Sequence, residues 1–262
     1  MSNLSLFDLT GKKAVVVGGA GGIGQALAEG LAEAGAQVMI SSRNEESLKR
    51  AQSELKEKTG AEVLYCVGDA TVESDVEELL AAATNKMGTV DILVNSQGFN
   101  KKFPGTEFPA EVWDQMFAAN VKSMMLTCKH FGKYMKDNNI HGKIINVGSV
   151  RGIRAVANGG GGNVGYCATK GAVEMLTKAY ASDLRPNIQV NLIGPTITYT
   201  PMMVGILPDN AEDRAKFAAG MPAMRIGEVD DCKGTVIFLA SAASDFVTGS
   251  SIYPDGGLNA IG

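Results

Sequence analysis

Only two histidines and four cysteines occur in this 262-residue chain, and no two cysteines form a CxxC pair. Zinc-site spacing and a dithiol motif are therefore both missing. Cys66, Cys128, Cys167 and Cys232 are scattered and read as small apolar residues in a reducing compartment. Prolines number 8 against 32 glycines, which show no three-residue period, so a collagen-like chain is excluded. Neither sign of charge dominates: the net charge is −4, leaving no broad basic face for nucleic acid. No apolar run nears the ~18 residues of a membrane span. Met1 to Thr10 contains Asp8 and lacks the apolar core of a signal peptide. A cytoplasmic protein with no membrane or nucleic-acid partner is expected.

What is present is a core-forming composition, 45% hydrophobic and 20% charged, which excludes a disordered chain. Short apolar runs alternate with helical patterns throughout. The strand candidates are Lys13–Gly18, Gln37–Ser41, Glu62–Cys66, Val90–Asn95, Lys143–Val147, Asn187–Ile193 and Ser250–Tyr253. Between them lie helical stretches at Ile23–Ala34, Asn44–Lys58, Val72–Met87, Ala110–Lys136 and Val164–Leu184, with further helical material to about Ala240. This alternation predicts an α/β fold: a single doubly wound domain over 1–262, with about seven parallel strands and helices on both faces. Two segments break the rhythm. Ala157–Asn163 holds four consecutive glycines and reads as a loop. Pro195–Pro208 carries three prolines and reads as irregular, within a substrate-lid region at about 195–225.

Gly18-Gly19-Ala20-Gly21-Gly22-Ile23-Gly24 follows the first strand and opens the first helix. Glycines there permit a sharp turn whose N–H groups approach a pyrophosphate at a helix N-terminus. GxGxxG in a glycine-rich run is a weak signal by itself, and a merely tight strand-helix turn is the plain alternative. Tyr166 and Lys170 are four apart, so on a helix they share a face. A phenol with a pKa near ~10 exchanges protons poorly at neutral pH unless a cation stabilises its anion.

In order and spacing these motifs resemble the short-chain dehydrogenase/reductase family across nearly the whole chain. Gly18-xxx-Gly22-x-Gly24 is similar to the family's TGxxxGxG, with Val17 replacing threonine. Asn95-Ser96-Gln97-Gly98 matches NNAG at its first and last residues, and Asn191–Thr200 resembles NxxxPGxxxT with Thr196 replacing glycine. Asp255-Gly256-Gly257 resembles the family's C-terminal DGG. The resemblance implies a catalytic set of Asn120, Ser149, Tyr166 and Lys170. Tyr166 is then the general acid/base, Ser149 binds the substrate oxygen, Lys170 perturbs Tyr166 and holds a ribose, and Asn120 anchors a water. It also implies cofactor contacts from Gly18, Gly22, Ile23, Gly24, Ser42, Arg43, Asp69, Asn95, Gly98, Tyr166, Lys170, Pro195, Thr198 and Thr200. The interval from Ser149 to Tyr166 exceeds the family's usual spacing, the surplus falling in the four-glycine run.

An acidic residue at the end of the second strand would accept from a ribose 2′-hydroxyl and repel a 2′-phosphate. Ser41-Ser42-Arg43 stands there with no carboxylate, so NADP(H) is expected over NAD(H). Lys101, Lys102, Arg151 and Arg154 follow two strand ends and suggest an anionic substrate, with Arg151 nearest Ser149. Resemblance to the family's gluconate-type branch around 196–201 and at the C-terminus implies secondary alcohol–ketone interconversion on a sugar, sugar acid or polyol. A 3-oxoacyl-carrier-protein reductase and a non-catalytic nucleotide sensor are the alternatives. The apolar content of Ala110–Lys136 and of the helix from Val164 suggests a homotetramer. No metal site is expected.

Overall fold

In a computed structural model, the described residues are 3–155, 162–200 and 210–261. The strands are β1 (Lys13–Val17), β2 (Gln37–Ser42), β3 (Leu64–Val67), β4 (Ile92–Asn95), β5 (Gly142–Val147), β6 (Ile188–Ile193), β7 (Thr198–Tyr199), β8 (Gly227–Glu228) and β9 (Ser251–Ile252). The helices are α1 (Gly22–Glu33), α2 (Glu45–Thr59), α3 (Glu73–Met87), α4 (Ala110–Phe117), α5 (Ser123–Asp137), α6 (Val164–Asp183), α7 (Ala211–Ala218) and α8 (Lys233–Ala240). Among the described residues seven strands form one parallel sheet, ordered β3-β2-β1-β4-β5-β6-β9. Strand order reverses between β1 and β4, opening a crevice at their carboxyl ends, where such sheets bind ligands.

Alternation along β1 divides the core. Ala14 and Val16 pack with Leu27, Leu31, Val236 and Leu239 on the α1, α2 and α8 side. Val15 and Val17 pack with Met39, Leu79, Leu126 and Phe131 on the α3, α5 and α6 side. Each fully buried Leu or Phe contributes roughly 1.5–3 kcal/mol, and both sheet faces are covered this way. Local signals set the helix limits. Asn44 caps α2 by accepting from Ser47 N at 2.7 Å, Glu45 and Glu46 lie in its first turn, and Gly60 ends it at φ 70°.

Two expectations need correction. Ala110–Lys136 is not one regular helix, because a π turn at Ala118–Lys122 separates α4 from α5. Most of its apolar side chains also serve the chain's own core: Met116, Met124, Leu126 and Phe131 are buried, and Trp113 and Phe117 stack on each other at 4.8 Å. Pro195–Pro208 is not wholly irregular either. Thr198 and Tyr199 pair in parallel with Gly227 and Glu228, since the β-branched run between the prolines accepts extended backbone. Residues 157–161 of the four-glycine loop, with 156 before it, and 201–209 of the expected lid region lie outside the described residues. All four cysteines are free thiols, Cys128 and Cys232 buried and Cys66 and Cys167 half-buried.

Candidate active site

The β1–α1 turn is drawn against its neighbours by missing side chains. Gly18 adopts φ 79°, donates its N–H to Ser41 O at 2.8 Å, and a Cβ on it would stand 2.7 Å from Gln97 N. A Cβ on Gly24 would overlap the Gly18 carbonyl oxygen. Only glycine lets this turn and the β4–α4 connection close on each other. The result is one wall of a cavity of about 450 Å³.

The opposite wall comes from β5 and α6. Ser149 follows β5 and accepts from Arg151 N at 3.2 Å. Tyr166 lies in the first turn of α6 and shares the cavity wall with Ser149, whose hydroxyl is close enough to pull the phenol pKa down. Lys170, one turn on, is 4% exposed and donates to Val147 O at 2.8 Å. Its Nζ lies 5.6 Å from the Tyr166 ring centroid. Burial pushes the Tyr166 phenol up to about 12, against weaker downward pulls from the Ser149 hydrogen bond and the Arg151 charge. Burial likewise brings the Lys170 ammonium down to about 8. The ammonium is spent on the Val147 carbonyl, and desolvation dominates both groups.

Asn120 lies in the π turn and is fully buried. Its Oδ1 accepts from Phe99 N at 2.9 Å, and its Nδ2 donates to Phe99 O at 2.9 Å and to Thr169 Oγ1 at 3.0 Å. Gly98, at φ 144°, is bare because a Cβ there would stand 2.7 Å from Asn120 Oδ1. Asn120 thus fastens the β4–α4 connection to α6 beside Lys170. Asn120→Ala should lower stability by about 1–3 kcal/mol through the unpaired Phe99 groups, read as a lower urea midpoint.

Gly18, Gly22, Ile23 and Gly24 line the cavity on the turn side, and Gly98, Pro195 and Thr200 line it farther along. Ser42 lies at the β2 end with Arg50 of α2. The Gln97 amide and the Thr196 hydroxyl are buried without hydrogen-bond partners, and both residues belong to the walls. A ligand that brings its own donors and acceptors relieves that cost. A glycine turn at a helix N-terminus, a strand end without carboxylate and a Ser-Tyr-Lys cluster on the cavity wall fit a nicotinamide dinucleotide.

The family model described as "Enoyl-(Acyl carrier protein) reductase" matches residues 18–259. The chain belongs to the short-chain dehydrogenase/reductase family. It is 37% identical over 259 residues to gluconate 5-dehydrogenase of Gluconobacter oxydans (strain 621H), covering 98% of each chain. To 5-keto-D-gluconate 5-reductase of Escherichia coli (strain K12) it is 34% identical, covering 97% of each. A crystal structure of gluconate 5-dehydrogenase from Burkholderia cenocepacia J2315, in complex with NADP and tartrate, superposes with TM-score 0.90 at 35% identity, covering 99% of each chain. Members of this family with those names are oxidoreductases, and so is this chain.

Several residues marked from the sequence sit elsewhere in this family member. Asn95 points into the protein: its Nδ2 donates to Asn146 Oδ1 at 2.9 Å and its Oδ1 accepts from Thr127 Oγ1 at 2.8 Å. It braces β4 against β5 and α5 while Gly98 faces the cavity. Thr198 is buried, donating to Thr196 O at 3.1 Å. Arg43 and Asp69 face each other at 3.9 Å beside the cavity rather than in its described walls. Arg154 is fastened to the C-terminal segment through the carbonyls of Leu258 and Ile261, which removes it from the substrate side. Lys101 is exposed, and half-buried Arg151 donates Nη1 to Ala155 O at 2.9 Å. Arg50, Gln97 and Thr196 went unmarked. The two departures from the family motifs at Gln97 and Thr196 were the available signal, and for Arg50 there was none. Among the described residues Glu73, Glu77 and His130 could gather around a cation, but Lys129 already pairs with Glu73 at 2.5 Å.

Proposed function

We propose that this oxidoreductase uses NADP(H) to interconvert a secondary alcohol and a ketone on a sugar acid. The observation that carries the reading is the Ser149-Tyr166-Lys170 cluster on the cavity wall, with Ser149 and Lys170 buried and Tyr166 half-buried. The substrate class is supported by the names of the gluconate and keto-gluconate relatives, and the cofactor by the NADP held in one of them.

Tyr166, protonated when free because burial holds its phenol up, gives its proton to the carbonyl oxygen during reduction and takes it back during oxidation. Ser149 holds that oxygen and orients the phenol. When bound, the nicotinamide supplies or accepts the hydride. Lys170, buried beside the phenol, is placed to stabilise its anion and to hold ribose hydroxyls. Ser42 leaves room for a 2′-phosphate where a carboxylate would repel it.

Arg151 carries the substrate carboxylate in this reading. It lies two residues after Ser149 in the chain, and its charge reaches Tyr166. Arg151→Ala should lower efficiency on gluconate or 5-keto-gluconate by about ten- to a hundred-fold, with little change on a neutral alditol. Absorbance of the nicotinamide cofactor over a panel of sugar acids, alditols and a 3-oxoacyl thioester reads both points. A panel in which only the thioester turns over would replace the sugar-acid reading with the carrier-protein one.

A cytoplasmic homotetramer completes the proposal. No helix among the described residues is long and apolar enough to cross a membrane. Met175 on α6 is 63% exposed and Phe246 is fully exposed, apolar surface that a second copy would cover. Light scattering at micromolar concentration should give about four times the chain mass, and a monomer mass would refute the assembly.

A further inference from the structure

Two charged side chains outside the described cavity walls fasten the C-terminal segment to the serine turn, Val150–Gly152. The first is Glu174 on α6, one helical turn beyond Lys170 and 7% exposed. Its Oε2 accepts from Ser251 Oγ of β9 at 2.6 Å, and its Oε1 accepts from the Tyr253 hydroxyl. A buried carboxylate is costly unless such donors satisfy it. The serine turn lies directly on this residue: a Cβ on Gly152 would stand 2.7 Å from Lys170 O and 3.0 Å from Glu174 Cγ. The second side chain is Arg154, two residues after the turn. Its Nη1 donates to the carbonyl of Leu258 and, at 2.9 Å, to that of Ile261.

Between these fasteners the segment is shaped by its own residues and by the turn after α7. Asp255, 6% exposed, accepts from Gly257 N and from Asn259 N at 2.9 Å each, which folds the chain back on itself. Gly256 O accepts from Ala223 N at 2.9 Å. Upstream, the Tyr253 ring rests on Gly194, where a Cβ would stand 2.3 Å from a ring carbon. Pro195, the next residue, accepts from Val150 N at 3.1 Å. The serine turn is therefore held at Gly152 by α6, at Val150 by Pro195 and at Arg154 by the tail. Each hold leads back to the C-terminal segment, through Glu174, through Tyr253 or directly.

We propose that the C-terminal segment is a strap whose two fasteners, Glu174 and Arg154, position the Ser149 hydroxyl for catalysis. Both are positioning residues and act through Ser149, not on substrate or cofactor. The proposal rests on the role given to Ser149 above. A donor must lie within about 0.5 Å of its productive place to act on a reacting oxygen. A turn of three residues buries too little of its own to hold that place, so the hold comes from outside it.

A double-mutant cycle with Ser149→Ala tests the strap, read as kcat on the best ketone of the panel above, beside NADPH titration and thermal unfolding. Arg154→Ala should lower kcat about tenfold and leave NADPH affinity within about twofold. In the Ser149→Ala background the same change should cost less than about twofold, because the group it positions is gone. Single-turnover oxidation of bound NADPH keeps that slow background measurable. Glu174→Gln, which replaces one accepting oxygen with an amide group, should lower kcat severalfold with the same dependence on Ser149. Arg154→Lys keeps a charged donor, should recover part of the loss, and gives the cycle a milder second variant. Equal losses with and without the serine would overturn the proposal by showing that the strap acts elsewhere. Variants with wild-type kcat and only lower unfolding temperatures would overturn it in favour of a purely structural role. Ser149→Ala protein that turns over as wild type does would instead refute the role of Ser149 itself.

Discussion

Tyr166→Phe should bind NADPH as wild type does and turn over about 10²–10⁴-fold more slowly. The ring stays, so the packing of α6 against the β5 end is kept, and only the hydroxyl that meets Ser149 is lost. In the free protein that hydroxyl is a protonated acid well above neutral pH, held up by burial. Transfer of its proton at pH 7 thus requires the reacting oxygen's developing charge and the Lys170 ammonium together. Steady-state kcat beside a fluorescence titration separates the two quantities. A variant retaining most of its turnover would remove Tyr166 from the chemistry.

Lys170→Met should abolish turnover yet make the cofactor-free protein more stable at neutral pH. An ammonium that titrates at about 8 when folded and 10.5 when unfolded leaves the unfolded chain holding more protons between those values. Stability therefore rises with pH across that window, and the full cost, about 3 kcal/mol, is present below pH 8. Methionine fills similar space without that cost, but leaves Val147 O without its donor, a loss of about 1 kcal/mol. The net gain should be about 2 kcal/mol at pH 7, shrinking above pH 8 and reversing by about pH 10.5. Urea unfolding at pH 7 and 10 checks the sign. A variant less stable than wild type at pH 7 would show that Lys170 is not carried at a cost. The trade has a physical purpose in this site: a charge placed where water cannot screen it acts more strongly on a neighbouring oxygen.

Local pattern made much of this molecule legible. The seven apolar runs correspond to the seven strands of the main sheet, with ends shifted by a residue or two, as at Leu64–Val67 and Ser251–Ile252. The glycine turn and the Tyr166–Lys170 spacing were equally plain, because each depends on neighbours within one turn of chain. The π turn was not. Asn120 lies in it, and its amide answers Phe99 in the preceding connection and Thr169 on α6, neither of them close in sequence.

The sequence by itself determined the fold class, the glycine turn and the shared helix face of Tyr166 and Lys170, and resemblance to a family added Ser149 to them. Periods of 2 and 3.6 residues write the buried face of each element into its own residues, so strand and helix alternation requires no distant information. Tertiary structure alone decided which polar side chains meet the cavity. It turned Asn95 inward onto Asn146 and Thr127, fastened Arg154 to the C-terminal carbonyls, and placed Arg50 of α2 in one cavity wall with Ser42. A polar group's partner is set by the packing of elements far apart in the chain, and no local period encodes that packing.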